Sequence, residues 1–157
     1  MTTTGRVIPI LAMAHAGLLA LSAAPARAAD VGVRAGVYSF EDGPEEPFLG
    51  AELLFHAGDG IFFNPNAEYV FVDGARYWTF NFDAHWDLPV RGPYLWLGGG
   101  LAIVYVDPDG PPGSTTEAHA NLLAGIGFRT GGVVPYIQVK LITGDPTTFV
   151  AAAGLRF

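Results

Sequence analysis

From residue 77 to residue 88 the chain reads YWTFNFDAHWDL, and its apolar side chains fall on every second position. Trp78, Phe80, Phe82, Ala84, Trp86 and Leu88 share one face of an extended chain. Tyr77, Thr79, Asn81, Asp83, His85 and Asp87 share the other. A period of two belongs to the β-strand, whose successive side chains point to opposite faces, and not to a helix. The pattern recurs along most of the chain in segments of about ten residues, separated by Gly, Pro, Asp and Asn clusters. It predicts eight strands: Val31–Phe40, Phe48–Ala57, Ile61–Val72, Tyr77–Leu88, Tyr94–Val106, Glu117–Arg129, Val133–Ile142 and Phe149–Phe157. Helical periodicity is absent from them, and 21 glycines with 12 prolines would oppose helix in any case. Eight evenly spaced strands imply a sandwich or a barrel.

Which face looks inward follows from what each carries. The apolar face places aromatic rings near its ends, at Phe63 and Phe71, Trp78 and Trp86, Phe149 and Phe157, with Tyr105 and Phe128 on two further strands. Trp78 and Trp86 are eight residues apart, which is about 26 Å along a strand. Tilted by about 40°, that distance covers about 20 Å of a membrane normal, close to the ~25 Å apolar band between the aromatic girdles of a transmembrane barrel. A buried sheet core has no reason to hold its rings at both rims.

The polar face sets Glu52, Glu68, Asp83, Asp87 and Glu117 against Arg34, Arg129, Lys140 and Arg156. It adds His85, His119, Asn81, Asn121 and Gln138, many glycines, and the rings of Tyr38, Tyr94, Trp96 and Tyr136. Balanced charge, small residues and a few large rings suit a narrow, filled interior better than a wetted surface. A hairpin centred near Gly43 brings Arg34 close to Glu52. One centred between Val90 and Arg91 sets His85 opposite Trp96 and Asp87 opposite Tyr94. The expected fold is therefore all-β: an eight-stranded antiparallel up-and-down transmembrane β-barrel.

The first 28 residues read differently. Arg6 precedes the apolar run Val7 to Leu21, and small residues then lead to Ala26-Arg27-Ala28. That is the order of parts in a signal peptide, with a cut expected after Ala28 and residues 29–157 forming the barrel. Without Arg6 and Arg27, 6 basic residues face 15 acids, a net charge of −9. Such a chain has no basic patch for nucleic acid. It has no cysteine, so neither disulfides nor thiolate metal sites hold it together. An even-stranded barrel with its amino end in the periplasm puts Gly58-Asp59-Gly60, Pro89–Gly92 and Thr130–Gly132 in tight periplasmic turns. Glu41–Pro47, Asp107–Thr116 and Gly144–Thr148 become longer outer loops, and Asp73-Gly74 a two-residue hairpin on the same side.

These residues carry a resemblance. The chain ends Ala153-Gly154-Leu155-Arg156-Phe157, contains Pro93-Tyr94-Leu95-Trp96-Leu97-Gly98-Gly99-Gly100, and later Asn121-Leu122-Leu123-Ala124-Gly125-Ile126-Gly127-Phe128. From Ala29 to Phe157 it resembles the small eight-stranded outer-membrane β-barrels: outer-membrane protein A transmembrane domains, outer-membrane protein X and opacity-type surface proteins. The resemblance implies a monomer among outer-membrane lipids and lipopolysaccharide, inserted by the barrel-assembly machinery, with Phe157 as the assembly signal. It implies no activity, and the peptidoglycan-binding domain of larger members has no counterpart here.

Candidate chemistry is weighed against that frame. His85 between Asp83 and Asp87, and Glu117, His119 and Asn121 on another strand, have the residue types of a metal site. A charge-paired barrel interior needs the same residues, because buried charges must be partnered. No metal or other cofactor is expected, and the polar face is read as a structural network of Arg34, Glu52, Glu68, Asn81, Asp83, His85, Asp87, Glu117, His119, Asn121, Gln138, Lys140 and Arg156. Lipid A deacylases and acyltransferases share the architecture and use a His with a Ser. Here the corresponding spots read His119-Ala120-Asn121 and His85-Trp86-Asp87, so no nucleophile stands beside a base and no catalysis is expected. A pore is excluded by the narrowness of eight strands, and a lipocalin-like exported carrier would need an apolar lumen. The expected function is a structural or surface-interaction role in the outer membrane. Asp42, Glu45, Glu46, Asp107, Asp109 and Asp145 would gather at one rim, either to hold divalent cations or simply as solvated turns.

Overall fold

The computed structural model describes residues 29–157 except 42, 91, 129 and 130. The expected leader, and the parts of the turns and of the sixth strand that fall on Asp42, Arg91, Arg129 and Thr130, lie outside the described residues. Eight strands form: β1 (Asp30–Phe40), β2 (Glu45–Gly58), β3 (Ile61–Val70), β4 (Ala75–Asp87), β5 (Tyr94–Pro108), β6 (Thr115–Gly127), β7 (Val134–Ile142) and β8 (Thr148–Arg156). Each pairs antiparallel with the next, and β8 returns to β1 from Gly32↔Arg156 to Phe40↔Thr148, closing a barrel in sequence order. Closure pairs the backbone of the first and last strands, so no edge is left open. The end that carries Asp30 and Phe157 is here the lower end, and the opposite one the upper end.

The two faces are sorted by parity. Arg34, Glu52, Glu68, Asp83, Lys140 and Arg156 are buried inside, while Val33, Leu49, Leu97, Leu122 and Ile137 are each more than half exposed outside. This inverts the order of a water-soluble domain, where charge stays out and aliphatics go in. On the outer face Tyr69, Phe71, Trp78, Tyr105 and Phe149 lie toward the upper end, and Tyr69 packs 4.9 Å from Trp78. Phe55, Phe63, Trp86, Phe128 and Phe157 lie toward the lower end. Aliphatic residues fill the band between, with Phe80 and Phe82 as its aromatic members.

Two expectations are corrected. In the β4–β5 hairpin, His85 stands opposite Gly98 and Asp87 opposite Trp96, two residues away from the expected register. A slip of two keeps every side chain on its face, so alternation could not choose between the registers. Space chooses: a Cβ at Gly98 would lie 2.6 Å from His85 Cβ, so the imidazole occupies room that only glycine leaves. The expected contrast of loop lengths also fails. The lower connections 88–93 and 128–133 are as long as the upper 41–44, 71–74, 109–114 and 143–147, because β2, β5 and β6 continue their pairing upward past the predicted ends.

One strand interior breaks its ladder. Pro65 lies in the middle of β3, and pairing with β2 lapses between Glu52↔Asn66 and Phe55↔Phe63. Proline has no N–H to give. The Asn64 side chain supplies the donor instead, its Nδ2 reaching the Leu53 carbonyl at 2.8 Å.

Candidate functional site

The interior is built as a polar network between two apolar clusters. Toward the upper end, Tyr38, Phe48, Val70, Ala102, Ile142, Val150 and Ala152 pack together. Toward the lower end, Trp96, Leu123 and Tyr136 do so, with Tyr94 against them. Between them three cations meet three anions. Arg34 Nε lies 3.0 Å from Glu68 Oε1, and Arg34 Nη1 lies 3.6 Å from Glu52 Oε2. Arg156 Nε donates to Glu52 Oε1 at 2.7 Å, and Lys140 Nζ stands 2.9 Å from Asp83 Oδ2. Every one of these six side chains is at most 2 % exposed. Charges removed from water this far persist only when paired and hydrogen-bonded.

Neutral donors complete the carboxylates. Glu68 Oε2 accepts from the Tyr38 hydroxyl, from the Thr79 hydroxyl at 3.0 Å and from Asn81 Nδ2 at 3.3 Å. Asp83 accepts from Asn121 Nδ2 at 2.8 Å and Asn66 Nδ2 at 3.0 Å. Below them the Arg156 guanidinium lies over the Tyr136 ring at 4.4 Å and the Trp96 ring at 5.1 Å, and the Trp96 indole N–H donates to Gln138 at 3.3 Å. A planar cation on ring faces is favourable, the more so where water is excluded. His85 stacks on Phe62 at 5.4 Å, near Trp96 at 5.5 Å, with Nε2 3.7 Å from Asp87 Oδ1.

Room for these groups comes from glycines opposite them. Trp96 pairs with Gly125, Tyr136 with Gly154, Asp83 with Gly100, and Arg34 with Gly50 and Gly154 on its two sides. A Cβ at Gly125 or Gly154 would run into the Trp96 or Tyr136 ring. These large interior side chains thus lie across the empty places of their neighbours, and the lumen is filled.

The network expected from the sequence is brought together at Arg34, Glu52, Glu68, Asn81, Asp83, Asn121, Gln138, Lys140 and Arg156. His85 and Asp87 form its lower fringe. Glu117 and His119 depart from the expectation: they lie at the upper mouth, Glu117 Oε2 3.2 Å from His119 Nε2, with the Glu117 side chain 67 % exposed. They sit outside the packed network because the apolar cluster below seals it from the mouth. Tyr38, Asn64, Asn66, Thr79, Trp96 and Tyr136 belong to the interior as well. Their parity on the polar face was the available signal. Among the described residues no three His, Cys, Asp or Glu converge as metal ligands. The upper mouth holds a cavity of about 250 Å³ lined by residues of β1, β4, β5, β6, β7, β8 and the 143–147 loop.

Fold and interior together define a class, the small closed eight-stranded barrels with apolar outer faces and filled polar lumens. No protein-family model matches the sequence, and no curated protein matches it either. Solved structures do match in fold. The N-terminal β-barrel domain of OprF from Pseudomonas aeruginosa superimposes with a TM-score of 0.63 at 15 % identity, covering 82 % of this chain and 96 % of that one. Neisserial surface protein A gives 0.62 at 12 % identity, covering 82 % and 94 %. The outer-membrane enzyme PagL gives 0.53 at 11 % identity, covering 80 % and 98 %. The chain has the fold of the small eight-stranded transmembrane barrels.

Proposed function

We propose that the protein is a monomeric outer-membrane β-barrel with a structural or surface-interaction role and no catalytic one. One observation carries this reading: an exposed apolar belt encloses a lumen whose charges are paired and whose space is filled. Water cannot cover such a belt without large cost, whereas lipid chains do so freely. The aromatic rings toward both ends suit the two interfaces of a bilayer, and the acidic upper end suits the outer, lipopolysaccharide-covered side. Export by a leader cut after Ala28 and insertion by the barrel-assembly machinery through a terminal Phe157 complete the reading.

The test is direct. Expressed protein should fractionate with the outer membrane, begin at Ala29 by mass, and migrate differently in detergent gels before and after boiling. Recovery in the soluble periplasmic fraction would overturn it. Planar bilayers should show no stable conductance, since Trp96, Tyr136 and the Tyr38–Phe48 cluster block the lumen at two levels.

The likeness to PagL raises a lipid-modifying reading, which the residues do not support. His85 and His119 have Asp87 and Asn121, not serine, two positions on. Lipid A should therefore keep its mass when the protein is expressed, and loss or gain of one acyl chain would sink the non-catalytic assignment.

A further inference from the structure

The upper mouth is a blind pit. Its floor is formed by Phe40, Tyr77 and Ile142, which belong to or pack on the sealed cluster of Tyr38, Phe48, Val70 and Val150, so it does not continue into the lumen. Val104 and Val106 make an apolar wall, and Glu117 and Asp145 supply negative charge at its sides, with His119 beside Glu117. Phe40 and Tyr77 meet at 5.9 Å between centroids and 59° between planes, an aromatic corner open to the pit. The lining has two carboxylates and one imidazole but no lysine or arginine. At the same end of the barrel, Arg76 is tied to Asp107 at 2.5 Å.

We propose that this pit binds a small organic cation, an ammonium group carried on an apolar body. The acidic residues Glu117 and Asp145 and the aromatic rings of Phe40 and Tyr77 favour positive charge, while Val104, Val106 and Ile142 offer nothing but apolar contact. An anion would meet two carboxylates and no lysine or arginine. A metal ion would find too few converging ligands and an apolar floor. At about 250 Å³ the pit is smaller than the sites of about 300–1,000 Å³ that hold drug-sized ligands, so the body is a single ring or a short chain. Glu117 Oε2 lies 3.2 Å from His119 Nε2 at the rim, a mostly exposed contact that leaves the carboxylate free to turn to a ligand.

The experiment uses the full barrel refolded in lipid nanodiscs, titrated with phenethylammonium while the His119 ring protons and the Val104 and Val106 methyls are followed by NMR. Phenylacetate, with the same ring and the opposite charge, is the control. Phenethylammonium should give saturable shifts and phenylacetate none. Glu117→Gln together with Asp145→Asn should weaken binding by about ten-fold, the effect of losing about 1.4 kcal/mol, and Val106→Trp, which fills the pit, should abolish saturation. All variants should retain heat-dependent gel migration. Shifts that do not saturate, equal shifts from phenylacetate, or undiminished binding by Val106→Trp would each overturn the proposal.

Discussion

Arg156 and Glu52 are 104 positions apart in sequence, yet Arg156 Nε donates to Glu52 Oε1 at 2.7 Å inside the barrel. The contact exists because the β1–β8 seam lays Arg156 beside Gly32, whose other neighbour is Glu52. A glycine between the two long side chains lets them meet across it. Glu52 also faces Arg34, so one carboxylate serves two buried guanidinium groups.

Glu52→Ala should accordingly destabilise the barrel by about 3–5 kcal/mol, the cost of a buried charge left without its partner. Urea unfolding from vesicles, followed by tryptophan fluorescence, reads the change. An unchanged midpoint would remove the pair from the account of stability.

Trp96 and Gly125 test the large-against-small packing. A Cβ at Gly125 would fall on the six-membered side of the indole and 2.7 Å from its Nε1. Gly125→Ala should cost about 1–3 kcal/mol through overpacking. In the Trp96→Phe background the missing atoms relieve the clash, so the two substitutions should be less than additive. Strict additivity would mean that the ring does not set the limit.

The Asn64–Leu53 contact makes a sharper case. Asn64→Ala should cost about 1–3 kcal/mol, because the Leu53 carbonyl loses its donor at a depth where water is scarce. Adding Pro65→Ala restores a backbone N–H opposite Leu53 and should recover part of the loss. If Asn64→Ala is silent, the side chain is not the replacement donor.

The outer face separates a membrane barrel from a soluble one. Leu122→Arg, in the middle of the belt, should cost about 2–4 kcal/mol in a bilayer, while Phe71→Arg at the upper rim should cost about 0–1 kcal/mol. On a water-exposed surface both would stay within about 0.5 kcal/mol of neutral. Refolding midpoints in vesicles distinguish the two patterns, and equal small effects would contradict the lipid-facing assignment.

The alternation of YWTFNFDAHWDL and its counterparts determined the strands, the inverted faces and, Glu117 and His119 aside, the membership of the polar interior. It could do so because side-chain parity is a property of each strand alone. The nearness of Arg34 and Glu52 was also legible, since one short hairpin joins them. What parity cannot see is register, because sliding by two leaves every face intact. Only the closed barrel decided that His85 would stand opposite Gly98, that Glu68 would be Arg34's nearer anion, and that Arg156 would cross the seam to Glu52. The mouth pit too was beyond the sequence, for Phe40, Tyr77, Glu117 and Asp145 are gathered from four separate stretches of the chain. Large groups must fall across from absent ones for eight strands to close on a filled lumen. That is a condition on neighbouring strands together, and no single strand carries it.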